Sequence, residues 1–448
     1  MLVKGFRGSE VFGYLDFNIE FNKDISFLIG MNGSGKTTAL KLMNALVAPS
    51  FKDLIKIPFS SITLILDDKG KDIKISCVNL KSEKSLSVSG IDEVVNLPSY
   101  DDINDMYFTS REDKIDEMID DLTRKFLTHP VIERISKVKS PIFLGLDRRS
   151  GEVTSSKNDY FFERQLWFSN KSKSKIDARR IITGSLGTSL METELLVQNT
   201  YKRIRDLEQK QSNRLRDSIL LSVFQYDDII TDELEGPLKA IDNWREKQGL
   251  VQRQNEIKEA LSNIGLENSK LSNSVDDFFE KITNLFENLS QMDKGISVEW
   301  LLNRAQIERM SRIVEIIDEH NSKVDNYFKP INDFLNTINL FYVDSRKKLV
   351  VNSVGQLIVI RPDGRECTIE GLSSGERQLL IIFAHAYFNR SSGSSTFIVD
   401  EPELSLHLGW QEKFTETIFD ISTESQFILA THSPEIVGSN KSKVVKCR

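Results

Sequence analysis

Residues 25–37 constrain the fold of this chain more than any other stretch. An apolar run, Ile25-Ser26-Phe27-Leu28-Ile29, leads directly into Gly30-Met31-Asn32-Gly33-Ser34-Gly35-Lys36-Thr37, and residues 38–47 are helix-competent. Strand, glycine-rich loop and helix in that order make a phosphate cradle. The glycines let successive backbone N–H groups turn inward at a helix N-terminus, Lys36 adds a point positive charge, and the Thr37 hydroxyl can ligate Mg²⁺. Gly30, Asn32, Gly33, Ser34, Gly35, Lys36, Thr37 and Thr38 are the expected phosphate-binding residues.

A second apolar run near the other end, Thr396-Phe397-Ile398-Val399, closes on Asp400-Glu401-Pro402. Two adjacent carboxylates at a strand end can divide the work of phosphoryl transfer. Asp400 would hold the metal shell with Thr37, and Glu401 would polarise the attacking water. Taken alone, the same three residues also read as an exposed strand-end turn.

Between and beyond these elements stand Leu372-Ser373-Ser374-Gly375-Glu376-Arg377-Gln378, opening another helix, and Phe427-Ile428-Leu429-Ala430 followed by Thr431-His432-Ser433-Pro434. Separately, Ser-Ser-Gly-Glu is an ordinary helix cap and His432 an ordinary strand-end residue. In register, the four elements resemble the ABC ATPase superfamily, with Ser373, Ser374, Gly375 and Glu376 similar to its signature and His432 to its switch histidine. The resemblance implies ATP and Mg²⁺ as cofactors, Glu401 and His432 as catalytic groups, and a head-to-tail homodimer. In such a dimer, or a larger ring, the signature of one chain meets the triphosphate on its partner. It also implies an α/β fold: a P-loop ATPase head with a mixed sheet and a small antiparallel sheet, plus a long α-helical, short coiled-coil-like insertion.

The N-terminal segment narrows the branch. Val3-Lys4-Gly5-Phe6-Arg7-Gly8, then Leu15 to Phe21 with period-two alternation, looks like the first hairpin of the SMC, RecF and OLD type. By the same resemblance Arg7 is placed near the base or phosphates. Glu403-Leu404-Ser405-Leu406-His407 is similar to the corresponding loop of OLD-like ATPases in bacterial antiphage systems such as Septu and PARIS. One departure stands out: the first glutamine is Gln165, so the family's glutamine loop is absent or rebuilt, with Asp147 or Arg148 as stand-ins.

The 448 residues exceed one ordinary core. No apolar stretch reaches the ~18 residues of a membrane span and no secretory layout opens the chain, so a cytoplasmic protein without a membrane partner is expected. Cys77, Cys367 and Cys447 are unpaired in spacing. A net charge of −7 gives no global attraction for nucleic acid, leaving Lys171 to Lys175 with Arg179-Arg180 as the local candidate for DNA phosphates or as a solvated loop.

The expected organisation is an N-terminal half-head over 1–155, a helical insertion over 156–340 and a C-terminal half-head over 341–448. In the insertion, Leu271, Val275, Phe278, Ile282, Leu285 and Leu289 step by four and three. Met310, Ile313, Ile317, His320, Val324, Phe328 and Ile331 do the same after a turn near Gly295, giving two helices with a heptad-like seam. His320 reads as a polar register point in that seam. An earlier helix is expected over 191–223, and short strands over 62–66, 73–78 and 86–88.

Three functions fit this reading: an ATP-operated switch of an antiphage system, a DNA repair ATPase of RecF or SMC type, and a transporter subunit, the last disfavoured by the insertion. No nuclease motif is visible. An antiphage role therefore carries the expectation of a separate HNH or Toprim nuclease as partner.

Overall fold

Six strands around the phosphate loop form a parallel sheet in the order β15 (Val444–Lys446), β3 (Ile25–Ile29), β14 (Gln426–Thr431), β13 (Thr396–Asp400), β8 (Ile142–Gly145) and β9 (Ile181–Ile182). Near-continuous apolar runs make these strands: β3 and β13 are buried at four of five positions and β14 at all six, as strands covered on both faces must be. The computed structural model describes residues 1–80, 83–98, 112–145, 181–182, 186–224, 247–263, 265, 269–291, 298–389, 396–421 and 425–447.

A second six-stranded sheet is antiparallel: β2 (Leu15–Glu20), β1 (Leu2–Val11), β4 (Ser61–Asp68), β5 (Lys71–Leu80), β6 (Glu83–Val88) and β7 (Val95–Pro98). Buried and exposed residues alternate strictly along β2, so one face is apolar. That face packs on α1 (Lys36–Val47), whose Ala39, Leu40, Leu42, Met43, Leu46 and Val47 share one core with Phe6, Ile62, Leu64 and Ile75 on one side and Leu28, Ile398 and Ile428 on the other. The mixture of parallel and antiparallel pairing is thus distributed between two sheets with α1 between them. A third sheet, β10 (Lys348–Val351), β11 (Leu357–Ile360) and β12 (Glu366–Thr368), is antiparallel.

Gln426, fully buried at the start of β14, ties the sheets together. Its amide donates to Val3 O and Asn22 O and its oxygen accepts from Val3 N and Thr396 Oγ1, at 2.7–3.0 Å. Buried amides are tolerated only when satisfied in this way. In α3 (Glu112–Phe126), Met118, Ile119, Leu122 and Phe126 fall on one face and pack on the core.

The chain divides into two units, Met1–Gln198 with Phe334–Arg448, and Asn199–Asp333. The second unit contains parts of α5 (Leu186–Phe224) and α8 (Val298–Tyr342) with all of α6 (Gln254–Asn263) and α7 (Ser269–Gln291). Leu215, Ile219, Ile257, Ala260, Val275, Phe279, Val314 and Ile317 form its core, extended by Ile282, Leu285, Phe286 and Ile307. Four residues of the expected seam, Val275, Ile282, Leu285 and Ile317, are among these. Arg253 clamps Asp318 and Glu256, while Lys258 and Gln254 bond Asp276. Burial pushes the His320 imidazole below its usual range against the pull of Glu208. The turn near Gly295 and the side chains of Leu271 and Leu289 lie outside the described residues.

Candidate nucleotide site

β3, β14 and β13 are not only parallel but in register, Ile29 opposite Thr431 and Ala430 opposite Asp400. The chain therefore leaves all three strands at the same edge. Gly30, His432 and Glu401, spread over some 400 residues of sequence, are the next residues out of those strands. The carboxyl edge of a parallel sheet is where such folds bind ligands.

The phosphate loop turns through Gly33 and Gly35, at φ 79° and 89°. A Cβ on Gly35 would stand 2.8 Å from the Phe17 ring, so only glycine lets α1 start this close to the first hairpin. Asn32, Gly33 and Thr37 are exposed, and Ser34 and Thr38 are half-buried. The Lys36 ammonium donates to Gly30 O at 3.0 Å and lies 2.5 Å from His432 Nε2, so the chain's two ends meet at one cation. Burial lowers the Lys36 pKa, against the opposing pull of Cys447, Asp400, Glu401 and Glu403.

Asp400 shows the reverse. Burial raises its pKa, Glu401 adds to the rise, and a hydrogen bond from Thr37 with the charge of Lys36 pulls it back. Among the described residues its buried Oδ1 has no hydrogen-bond partner, and neither does Ser34 Oγ. An unpartnered carboxylate oxygen beside a threonine hydroxyl is a donor set that a hard divalent cation accepts. The next residue, Glu401, adopts φ 50°, uncommon for a non-glycine residue, and is pinned there by its N–H donating to Ala430 O at 2.8 Å.

Glu403 had no role in the sequence reading beyond its place in a loop. Its carboxylate accepts from Thr431 Oγ1 at 2.8 Å and from the His432 N–H at 2.7 Å. Only the strand pairing brings these residues together, so spacing carried no signal for it. On the far side of His432, Ser433 caps α11 (Pro434–Val437) and donates to Gln411 Oε1 at 2.6 Å.

The signature residues open α9 (Ser374–Phe388). Ser373 and Glu376 form a full capping box, each side chain bonding the other's backbone N–H. Ser373 and Ser374 are exposed, while Gly375 and Glu376 are buried. Burial acts to raise the Glu376 pKa, but Lys347 at 2.8 Å and the Ser373 N–H outweigh it and hold the carboxyl below its usual range. Glu376 is therefore turned into its own chain, and of the four residues only the two serines face outward. Among the described residues no hydrogen bond joins either serine to residues 30–37 of the same chain. The helix instead grips the loop after Glu401: Gln378 Nε2 donates to Pro402 O at 2.8 Å. In that loop the His407 ring packs against Trp410 at 4.6 Å.

Arg7 stands on the exposed face of β1, opposite Asn18 and Thr63. Asp147, Arg148 and the basic stretch 171–180 lie outside the described residues. Among the described residues no helix is long and apolar enough to cross a membrane.

A family model described as an AAA ATPase domain matches residues 1–437. A retron Vc95 probable ATPase from Vibrio cholerae serotype O1 biovar El Tor is 24% identical over 202 residues, 39% of this chain and 38% of that protein. The chain thus spans well under half of that relative's length. Two solved Smc head domains align over 99% of the chain. One, with an extended coiled coil and bound to the C-terminal domain of ScpA, derives from Pyrococcus furiosus, and the other, with a coiled coil and joint, from Pyrococcus yayanosii. The first is 14% identical at a TM-score of 0.40 and covers 95% of its chain; the second is 15% identical at 0.37 and covers 94%.

Proposed function

We propose that this chain, which belongs to the AAA ATPase domain family, works as an ATP-driven switch that closes head-to-tail with a second copy and controls a separately encoded nuclease in bacterial antiphage defence. One observation carries the ATPase reading: the phosphate loop, the Asp400-Glu401 pair and His432 leave three adjacent strands at one sheet edge. Residues 30–38 would wrap the phosphates, with the Lys36 ammonium against the γ-phosphate. Thr37 and Asp400 would hold Mg²⁺, which when bound neutralises developing phosphate charge. Glu401 takes the proton of a water whose oxygen bonds the γ-phosphorus, as the bond to the β-phosphate oxygen breaks and ADP departs. His432, beside Lys36, would hydrogen-bond the same γ-phosphate.

The dimer reading rests on the outward-facing serines. The Ser373 hydroxyl accepts from Glu376 N–H but keeps its own hydrogen to donate, and it sits at the positive end of α9, the end that favours an anion. A partner's γ-phosphate would satisfy both. The partial likeness to a retron's probable ATPase from Vibrio cholerae favours a bacterial setting for this ATPase.

The test is Glu401→Gln in the purified chain. It should bind ATP with Mg²⁺ as tightly as the parent, hydrolyse it at least about 100-fold more slowly, and run as a dimer in light scattering only with ATP present. Lys36→Ala should bind weakly and stay monomeric. Normal hydrolysis by Glu401→Gln would remove Glu401 from its role, and an ATP-independent oligomeric state would remove the switch.

A further inference from the structure

The geometry points to Glu403 as a positioning residue that sets the His432 imidazole against the phosphate end of the pocket. This deepens the ATPase reading above and rests on it for its kinetic consequence.

Three physical facts combine. First, His432 follows β14 immediately, and a residue leaving a strand end has no ladder partner to hold its backbone. Its N–H finds Glu403 Oε1 at 2.7 Å instead, while the preceding Thr431 hydroxyl bonds Glu403 Oε2 at 2.8 Å. Both oxygens of one carboxylate thus hold consecutive residues, and bonds to a charged acceptor are the stronger kind. Second, the arrangement is locked from the other side: Ser433 N–H donates to Thr431 Oγ1 at 3.0 Å and Ser433 Oγ to Gln411 Oε1 at 2.6 Å. Third, Glu403 is itself held in the loop that Glu401 opens. Leu406 N–H bonds Glu403 O at 3.0 Å, and Gln378 of α9 holds the neighbouring Pro402 carbonyl. The backbone of the histidine that touches Lys36 is thereby tied to the same short loop that carries the water-polarising carboxylate.

This predicts that Glu403 acts on turnover mainly through His432. Glu403→Ala should lower kcat for ATP about tenfold with KM changed less than about twofold, the pattern of a contact made mainly in the transition state. Glu403→Gln, whose amide can accept from His432 N–H and donate to Thr431 Oγ1, should recover at least about half of the parent rate. In a His432→Ala background, Glu403→Ala should add less than about twofold, since the residue it positions is gone. Full additivity of the two losses, or an unchanged kcat in Glu403→Ala, would overturn the assignment.

Amide hydrogen exchange of the peptide covering Thr431 to Val437 provides a reading that does not depend on turnover. Glu403→Ala should speed exchange there about tenfold or more while leaving α1 unchanged. If the parent chain hydrolyses no ATP, the ATPase reading falls and exchange alone decides: faster exchange upholds Glu403 as the anchor of the His432 turn, and unchanged exchange removes it.

Discussion

Asp400 is where the site and the fold pull against each other. Burial raises its pKa, so keeping it ionised at neutral pH is unfavourable to the folded state unless a cation takes its unpartnered Oδ1. The sign follows from linkage. A carboxyl whose folded value lies above its unfolded one is relieved of this cost below its ordinary 3.8, and the cost grows as pH rises from there through the folded value. Asp400→Asn, which cannot ionise, should therefore melt higher than the parent in Mg²⁺-free buffer at pH 7, with the gain shrinking toward pH 4. It should also lose hydrolysis by about 100-fold or more. Melting curves with and without Mg²⁺ check this: a variant that melts lower at pH 7 would show that Asp400 is satisfied within the chain.

At the scale of elements, the decisive contact is between the start of α9 and the loop after β13. A Cβ on Gly375 would lie 2.3 Å from Ser405 O and 3.4 Å from the Trp410 ring, and Ser405 already holds φ 66°. Backbone cannot yield as a flexible side chain does. Gly375→Ala should thus cost about 1–3 kcal/mol and disturb the Glu401–Glu403 loop, measured as a lower melting temperature with reduced kcat. Parent-like values for both would mean that the helix and loop are not coupled.

That contact also marks how far the sequence could be read. The phosphate loop, the carboxylate pair, the first hairpin and the capping pattern at Ser373 are local signals, each written within about twenty residues, and the order of apolar runs and glycines implied their element types. The inward turn of Glu376, the packing of Gly375 and the anchoring by Glu403 depend on which strands lie side by side. Sequence spacing does not carry that information. The seam of α7 and α8 was legible from its period, but Phe279 and Phe286, both buried, fall outside the simple heptad series.

For the whole molecule, the central claim is that each chain holds two half-sites that only a second copy can bring together. The substitution that tests it must spare the fold. Ser373 caps α9, so its replacement would weaken the helix, whereas Ser374 is exposed and takes no part in the cap. A Lys36→Ala chain and a Ser374→Arg chain should each be inactive. Neither chain can close with itself, so in an equal mixture the dimers that form pair one of each, and such a dimer has one intact pocket of two. ATP hydrolysis by the mixture should therefore return, to at most about half of the parent rate. A mixture as inactive as its components, with mixed dimers demonstrably present, would contradict a pocket shared between two chains.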